Sequence, residues 1–285
     1  MLENLIPVTN ELERIVFSVF GSSSTLAQMR RTNDKSCSRL ADAFSGTLDN
    51  QMSDTEELFV DQIEQLRNQM EKSDQHVKVV DFGAGSGDSD QSGRLVHASL
   101  GKICRSTSRR PASGLLLMKL LRTFQPNVAI ELGTSVGISA AYQAAAMEIN
   151  GHGKLITLEG APAVASIATA NLLQLGLGDR AEVVVGRFVD TLPRVLEQAA
   201  PIDFAFIDGH HDFAATLEYF ETIKPSLSSS AILVFDDISW SSGMAAAWRA
   251  IVADSRVGPV VSVFSMGLCV LGGVKKSFRI ALPRS

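Results

Sequence analysis

"VAIELGTSVGISAAYQAAAMEI", residues 128–149, decides the fold of this chain. A short apolar run ends near an acid, a glycine turn follows, and an alanine-rich helix comes next. The next apolar run, "GKLITLEG" at 153–160, ends in a second acid, Glu159, which stands 22 residues after Gly137. A strand, a tight glycine turn, a helix and an acid on the next strand together predict a nucleotide-type site in a Rossmann-like sheet.

The chain continues this alternation of apolar runs and helical segments after Gly114. Such alternation predicts an α/β fold with a mostly parallel sheet and helices on both faces. After the last helix, two β-rich runs at 259–266 and 268–273 predict an antiparallel C-terminal hairpin. We therefore predict a doubly wound, Rossmann-like sheet of seven strands. The other predicted strands cover 128–132, 154–158, 182–186, 203–208 and 231–236, and the predicted helices cover 138–149, 163–175, 190–199, 212–224 and 243–254.

Composition and charge exclude several classes of protein. The chain has 285 residues, of which 45% are hydrophobic, and its formal net charge of −5 argues against a nucleic-acid partner. No apolar run approaches membrane-spanning length, so no membrane partner is expected. The three cysteines are widely separated and match neither a disulfide framework nor a zinc site. We therefore expect a cytoplasmic protein that binds a small molecule.

Residues 1–113 are more polar than 114–285, and we predict that they form a helical N-terminal extension. The segment "SDTEELFVDQIEQLRNQMEK", 53–72, opens with a Ser-x-x-Glu capping box and carries apolar residues at helical spacing. A second amphipathic helix is predicted at 10–20. The apolar face of the 53–72 helix needs a partner, so we expect the extension to form a lid or the contact of a homodimer.

A second glycine cluster, "VVDFGAGSGDSD" at 79–90, also follows a β-branched run that ends in an acid. Neither a clean helix nor a second strand with a terminal acid comes after it. We therefore interpret it as a glycine-rich turn or lid beside the site, and we assign the cofactor to the loop after 128–132.

The loop at 131–137 departs from a dinucleotide fingerprint. Its pattern is E-x-G-x-x-x-G, with Glu131 in the position where the fingerprint opens with a glycine. A carboxylate at the strand tip repels a pyrophosphate and attracts the ammonium group of a cofactor that carries an amino acid. The loop therefore favours an amino-acid-bearing nucleoside over a dinucleotide.

Five motifs, in this order, resemble those of the class I S-adenosylmethionine-dependent methyltransferases, and among them the small-molecule O-methyltransferases. They are "ELGTSVGIS" (131–139), "ITLEG" (156–160), "VVVGRF" (183–188), "DFAFIDGHHDFAATLEYF" (203–220) and "AILVFDDISWSSGM" (231–244). The resemblance extends over about 114–273. It implies S-adenosylmethionine as the cofactor and methyl transfer as the activity.

The resemblance also implies roles for individual residues around the cofactor. Glu131 would be oriented towards the methionine part, and Glu159 would accept hydrogen bonds from both ribose hydroxyls. Arg187 and Phe188 would flank the adenine, although Phe188 suits an ordinary core position equally well. The implied cofactor residues are Glu131, Gly133, Ser135, Gly137, Ser139, Glu159, Gly160, Gly186, Arg187, Phe188, Asp208 and His211.

Three carboxylates, Asp208, Asp236 and Asp237, follow neighbouring predicted strands and are expected to converge at one edge of the sheet. Converging carboxylates repel one another unless they share a proton or a cation, and hard oxygen ligands favour Mg²⁺ or Ca²⁺. Their spacing resembles that of the metal-dependent branch, which includes catechol and macrocin-type enzymes. The alternative is that Asp208 touches the cofactor while the other two cap the next helix or bond loop amides.

Methyl transfer to a hydroxyl needs a group that takes its proton, and two histidines follow Asp208 in "IDGHHDF". His210 stands where macrocin-like relatives carry an acidic base, so the resemblance implies His210 and Asp208 as catalytic residues. His211 matches a histidine that many relatives use as a structural or cofactor-side residue. A purely structural role for His210 remains the alternative.

The basic stretch "CRSTSRR", 104–110, is interpreted as a solvated turn, with an acidic acceptor or the cofactor carboxylate as the alternative ligand.

These features predict an O-methyltransferase that acts on the hydroxyl or carboxyl of a small molecule, such as a natural product, with the help of a divalent metal. Two alternatives stay open. One is a different transferase, such as an aminopropyl transferase, or a hydroxylase-like enzyme on the same fold. The other is a partner protein that binds S-adenosylmethionine without catalysis.

Overall fold

The computed structural model describes residues 22–81 and 94–281. The helix predicted at 10–20 and the glycines at 83–87 lie outside the described residues. The first part of the described chain contains the helices α1 (22–30), α2 (Lys35–Leu48) and α3 (Asp54–Glu71), the strands β1 (His76–Asp81) and β2 (Arg94–Ser99), and the helices α4 (Leu100–Thr107) and α5 (Pro111–Phe124).

The second part confirms the predicted α/β alternation. Its elements are β3 (Val128–Leu132), α6 (Ile138–Asn150), β4 (Lys154–Glu159), α7 (Pro162–Gln174), β5 (Ala181–Val185), α8 (Phe188–Ala199), β6 (Ile202–Ile207), α9 (Phe213–Ile223), β7 (Leu227–Phe235), α10 (Ser242–Ala253), β8 (Val257–Val263), β9 (Met266–Leu271) and β10 (Ser277–Ile280). No helix within 22–81 and 94–281 is both long and apolar enough to cross a bilayer.

The main sheet has the strand order β10-β8-β9-β7-β6-β3-β4-β5. The strands from β3 to β7 run parallel, and β9 pairs antiparallel with both β7 and β8, as the predicted hairpin requires. Within 22–81 and 94–281, the sheet has eight strands instead of the predicted seven, because β10 adds to its edge parallel to β8. This strand has only four residues and follows the glycine- and lysine-containing stretch 272–276, so its sequence carries little strand signal.

The central strands are buried on both faces, as continuous apolar runs in a parallel sheet should be. Residues such as Ile130, Leu132 and Ile207 pack into a core on one face of the sheet. Residues such as Ala129, Phe204 and Phe206 pack into the core on the other face. Alternating side chains of one strand thus serve two cores, which fixes the register of the whole sheet.

The N-terminal helices share a core with the sheet. Ile63, Leu66 and Met70 of α3 are buried in the same cluster as the apolar residues of α5 and α6. The apolar face that led us to expect a homodimer is therefore covered within the chain, and the oligomeric state stays a prediction. The described part of 1–113 forms no core of its own separate from 114–285.

The predicted capping box is present at the start of α3 and also ties this helix to α5. The Ser53 N–H donates to Glu56 Oε2 at 2.8 Å, and the Glu56 N–H donates to the Ser53 hydroxyl. The same carboxylate forms ion pairs with Lys119 at 3.0 Å and with Arg122 at 3.3 Å. Glu56, which the local capping motif predicts, thus also contacts a distant helix.

The strand that leads into the second glycine cluster does not belong to the main sheet. Among the described residues, β1 pairs only with β2, in an antiparallel two-stranded sheet. A cofactor loop of Rossmann type requires a parallel neighbour and a following helix. This arrangement agrees with the interpretation that the cofactor loop lies after β3.

Candidate functional site

The carboxyl ends of β3, β6 and β7 meet at one edge of the sheet. The Asp208 N–H donates to the Leu132 carbonyl at 3.0 Å, and the Asp236 N–H donates to the Ile207 carbonyl at 2.9 Å. These bonds extend the ladder by one residue beyond each strand. They bring the glycine loop, Asp208 and Asp236 to the same level, where ligands of such sheets bind.

Gly133 allows this close approach. Its φ of +104° is unfavourable for any residue with a side chain, and an added Cβ would overlap the carbonyl oxygen of Asp208. Gly137, with φ of +88°, opens α6 and packs against Ala168. Both glycines that the sequence singled out are thus required by the backbone.

Glu159 is held at the mouth of the glycine loop by two backbone donors. The Ser135 N–H donates to Glu159 Oε2 at 2.8 Å, and the Ala161 N–H donates to Oε1 at 2.8 Å. Gly160 lies in the turn between these two segments. These two bonds fix the position of the carboxylate, and a carboxylate oxygen can accept more than one hydrogen bond.

Glu131 lies deeper than the predicted contact with the cofactor requires. It is 0% exposed and accepts hydrogen bonds from Gln143 at 2.8 Å and from Thr157 at 2.6 Å. Burial raises the pKa of Glu131 to about 7, against the effect of the bonds from Thr157, Ser139 and Gln143. Glu131 therefore joins β3, β4 and α6 beneath the loop, whereas Ser139 is partly exposed.

The segment after β5 contains the residues assigned to the adenine side. Gly186 has φ of +141°, and Arg187 pairs with Asp190 at 2.7 Å on the first turn of α8. Phe188 packs edge-on against Tyr219 and His210, with ring centroids 5.7 and 5.8 Å away. The core role and the ligand role considered for Phe188 are both compatible with this position.

Arg109 lies among the three predicted metal ligands. Its Nη2 is 2.9 Å from Asp237 Oδ2 and 3.6 Å from Asp208 Oδ1, and its Nε contacts Asp236 Oδ2. The carboxylates converge as predicted, but their countercharge is a guanidinium. The interpretation of 104–110 as a solvated turn is wrong for Arg109, because its side chain is only 26% exposed and points into the cluster.

The charges of the cluster perturb one another. Burial and mutual repulsion raise the pKa of Asp208 and of Asp236, and the Arg109 guanidinium opposes both shifts. Burial would lower the pKa of Arg109, but the three carboxylates outweigh it and raise this pKa. Arg109 therefore stays protonated and stabilises the charged forms of its partners.

A divalent ion does not fit this arrangement. Carboxylate oxygens suit Mg²⁺ or Ca²⁺, but the guanidinium already lies where an ion would have to contact Asp208, Asp236 and Asp237 together. Across 22–81 and 94–281, no three acidic, cysteine or histidine side chains are arranged to hold a metal ion. The sequence prediction counted the acids and overlooked the arginine that neutralises them.

The backbone of Arg109 is fixed from the N-terminal helices. Arg67 Nη1 on α3 donates to the Arg109 carbonyl at 2.6 Å, and Arg67 pairs with Glu64 at 2.9 Å. Glu64 also accepts the Tyr142 hydroxyl of α6 at 2.8 Å. The extension thus delivers a functional group to the edge of the sheet, which no local signal in 104–110 indicates.

The two histidines after Asp208 point to different surroundings. His211 Nε2 lies 3.7 Å from Asp208 Oδ1, and its Nδ1 lies 3.6 Å from Asp237 Oδ2. His210 Nδ1 and the Tyr219 hydroxyl share a hydrogen bond of 2.6 Å. Both histidines have positive φ, +61° and +42°, so the loop is strained where it separates the two side chains.

Comparison with known proteins shows what this edge of the sheet is similar to. Residues 130–238 match the family described as "Methyltransferase domain". A catechol O-methyltransferase from Niastella koreensis is 33% identical over 45% of this chain and 57% of its own length. One from Mycobacterium tuberculosis is 32% identical over 47% of this chain and 58% of its own length. The chain thus spans somewhat more than half of these curated relatives.

A solved structure shares the architecture. The O-methyltransferase TomG from Streptomyces achromogenes, in complex with SAM, is 25% identical with a TM-score of 0.51 over 59% of this chain and 82% of its own. The match to the family runs from the middle of β3 to just beyond Asp237, and so includes the glycine loop, Glu159 and the three carboxylates. The chain is therefore similar, in sequence over 130–238 and in fold, to S-adenosylmethionine-dependent O-methyltransferases.

Proposed function

We propose that this protein transfers a methyl group from S-adenosylmethionine to a hydroxyl oxygen of a small molecule. The observation that carries the proposal is the pair of backbone bonds that hold Glu159 beside the glycine loop. They fix a carboxylate beside the loop for a ribose, and the Ser135 N–H that could bind a pyrophosphate is already bonded to it. The names of the curated relatives support an oxygen acceptor.

In this proposal the cofactor lies along the loop 133–137, with its ribose on Glu159. Ser135, Gly160 and the partly exposed Ser139 border the same cleft. Glu131 acts as a positioning residue, because it is fully buried beneath the loop. Gly186, Arg187 and Phe188 form the adenine side.

The acceptor lies on the side of Asp208 and Asp237. Its oxygen attacks the methyl carbon, the S–CH₃ bond breaks, and the thioether form of the cofactor leaves. We assign the hydroxyl proton to His211, because this imidazole lies beside Asp208 and Asp237 on the acceptor side. His210, the base implied by the resemblance, is bonded to Tyr219 and packs against Phe188.

The surface beside this cluster suits a planar acceptor. Trp240 is 71% exposed, and its backbone N–H donates to the Asp237 carbonyl at 2.9 Å. An exposed aromatic ring on this loop can stack on a phenolic or sugar ring. No metal ion takes part in this step, because Arg109 already holds the three carboxylates.

The experiment that tests this function combines binding with turnover. Calorimetry should show binding of S-adenosylmethionine and none of NAD, and catechol should accept the labelled methyl group. Glu159→Gln should weaken cofactor binding about tenfold or more, because it removes a charged acceptor. The exposed Glu182, which pairs with Lys154 at 2.6 Å on the neighbouring strand, provides the control Glu182→Gln.

Two outcomes would contradict the proposal. Tight binding of NAD in place of S-adenosylmethionine would reject the cofactor. Binding of S-adenosylmethionine without methyl transfer to any hydroxylated acceptor tested would favour the partner protein without catalysis.

A further inference from the structure

Arg109 has the contacts of a built-in cation. Its Nε and Nη2 account for the ion pairs that it forms with acidic side chains in 22–81 and 94–281. The guanidinium carries five N–H donors, so the two on Nη1 remain for an oxygen atom of another molecule. The side chain is 26% exposed, and the site can therefore be reached from solvent.

We propose that Arg109 is the resident cation of the acceptor site: it holds the three carboxylates and binds the attacking oxygen, in place of a divalent metal. This inference rests on the proposed function. In the transfer, the O–CH₃ bond forms as the S–CH₃ bond breaks, and the proton goes to His211. Arg109 stays protonated throughout and donates hydrogen bonds to the oxygen as negative charge develops there.

The backbone position of Arg109 is held by the fold. Arg67 binds its carbonyl, and α5 begins two residues later at Pro111. A divalent ion at the centre of the cluster would have to displace the guanidinium against charge repulsion. Arg109 and a metal ion are therefore competitors for the same carboxylates.

The competition gives a test that needs neither cofactor nor acceptor. Mn²⁺ is titrated into the wild-type chain, Arg109→Ala and Arg110→Ala, and free Mn²⁺ is followed by electron paramagnetic resonance. Arg110 is the exposed neighbour with the same charge, so its variant controls for net charge. We expect no ion bound to the wild type or to Arg110→Ala at about 1 mM, the weak end of cation sites in proteins. Arg109→Ala should gain a site.

Turnover supplies the second readout. Excess chelator should leave wild-type turnover unchanged, and Arg109→Ala should lower kcat by about 10²-fold, the usual loss for one donor to a developing oxyanion. Free guanidinium ion should restore part of that activity. If the alanine variant does not fold, Arg109→Lys replaces it, and this variant should lower kcat about tenfold with an unchanged Kd for S-adenosylmethionine.

Mn²⁺ binding to the wild type at that concentration, or loss of wild-type turnover in chelator, would overturn the role of Arg109. Either result would leave the methyltransferase assignment standing. A wild type that binds neither Mn²⁺ nor S-adenosylmethionine would reject the proposed function and the role of Arg109 toward the attacking oxygen, and would leave only its exclusion of a metal ion.

Discussion

The two halves of the candidate site are built by different means. The centre of the cofactor half is the loop after β3 and Glu159 at the end of β4, and both lie within 128–161. The acceptor half combines Asp208, Asp236 and Asp237 with Arg109, which precedes the first strand of the main sheet. One half comes from neighbouring segments of chain, and the other is completed by a remote one.

The halves also neutralise their acids differently. The Glu159 carboxylate accepts backbone N–H groups, and buried Glu131 accepts neutral side chains that only partly offset a pKa raised to about 7. Three converging carboxylates exceed what peptide dipoles can balance, so the acceptor half needs a full positive charge. Where several acids cluster at a sheet edge, the group that supplies the positive charge therefore has to be identified.

The largest expected effect comes from Gly133, where the two halves touch. An alanine there would adopt an unfavourable φ and overlap the Asp208 carbonyl oxygen. Gly133→Ala should cost about 3 kcal/mol or more in the free energy of unfolding and should abolish cofactor binding. Urea denaturation and calorimetry measure the two effects.

Gly151→Ala is the matched control. Gly151 also has a positive φ, +77°, but an added Cβ would meet no heavy atom within 4 Å. It should cost only the backbone strain, about 1 kcal/mol, and leave cofactor binding unchanged. Equal costs for the two variants would show that the contact between the halves is unimportant.

Sequence reasoning predicted the fold around the glycine loop well because its signals are local. The sequence features that predict this region lie within about 30 residues of one another: an apolar run, a glycine turn and a terminal acid. β3, α6 and β4 lie where these features predicted them. The convergence of Asp208 and Asp236 was also predictable, since the ends of parallel strands share one edge.

The remaining features depend on contacts between distant parts of the chain. The role of Arg109 requires knowing that α3 and α5 dock beside the sheet and that Arg67 holds its carbonyl. His210 and His211 have different surroundings because the loop takes two positive φ angles, which histidine rarely adopts. The sequence alone could not predict which histidine would lie beside the carboxylates. Three converging acids need a countercharge, and this need was the available hint of a nearby arginine.

The histidine pair offers the second test, because each side chain belongs to one half. His211 adjoins Asp208 and Asp237, whereas His210 lies between Phe188 and Tyr219. His211→Asn should lower kcat by about 10²-fold or more, as loss of a proton acceptor does. His210→Asn should mainly raise the Kd for S-adenosylmethionine.

Initial rates and calorimetry at the same pH measure these effects. Each variant serves as the control for the other. The reverse order, with kcat lost in His210→Asn and retained in His211→Asn, would return the base to the residue that the resemblance implied.

The smallest expected effect concerns a contact between the two halves. Thr107, two residues before Arg109, shares a hydrogen bond of 2.5 Å between its hydroxyl and that of Ser135 in the cofactor loop. Because this bond is exposed, Thr107→Ala should weaken S-adenosylmethionine binding by about 1 kcal/mol or less, a few-fold in Kd. Ser106→Ala is the control, since Ser106 donates to the same Ile103 carbonyl as Thr107 but has no bond to the loop. If Thr107→Ala changed the acceptor KM and left the cofactor Kd unaltered, the segment 104–110 would serve the acceptor half alone.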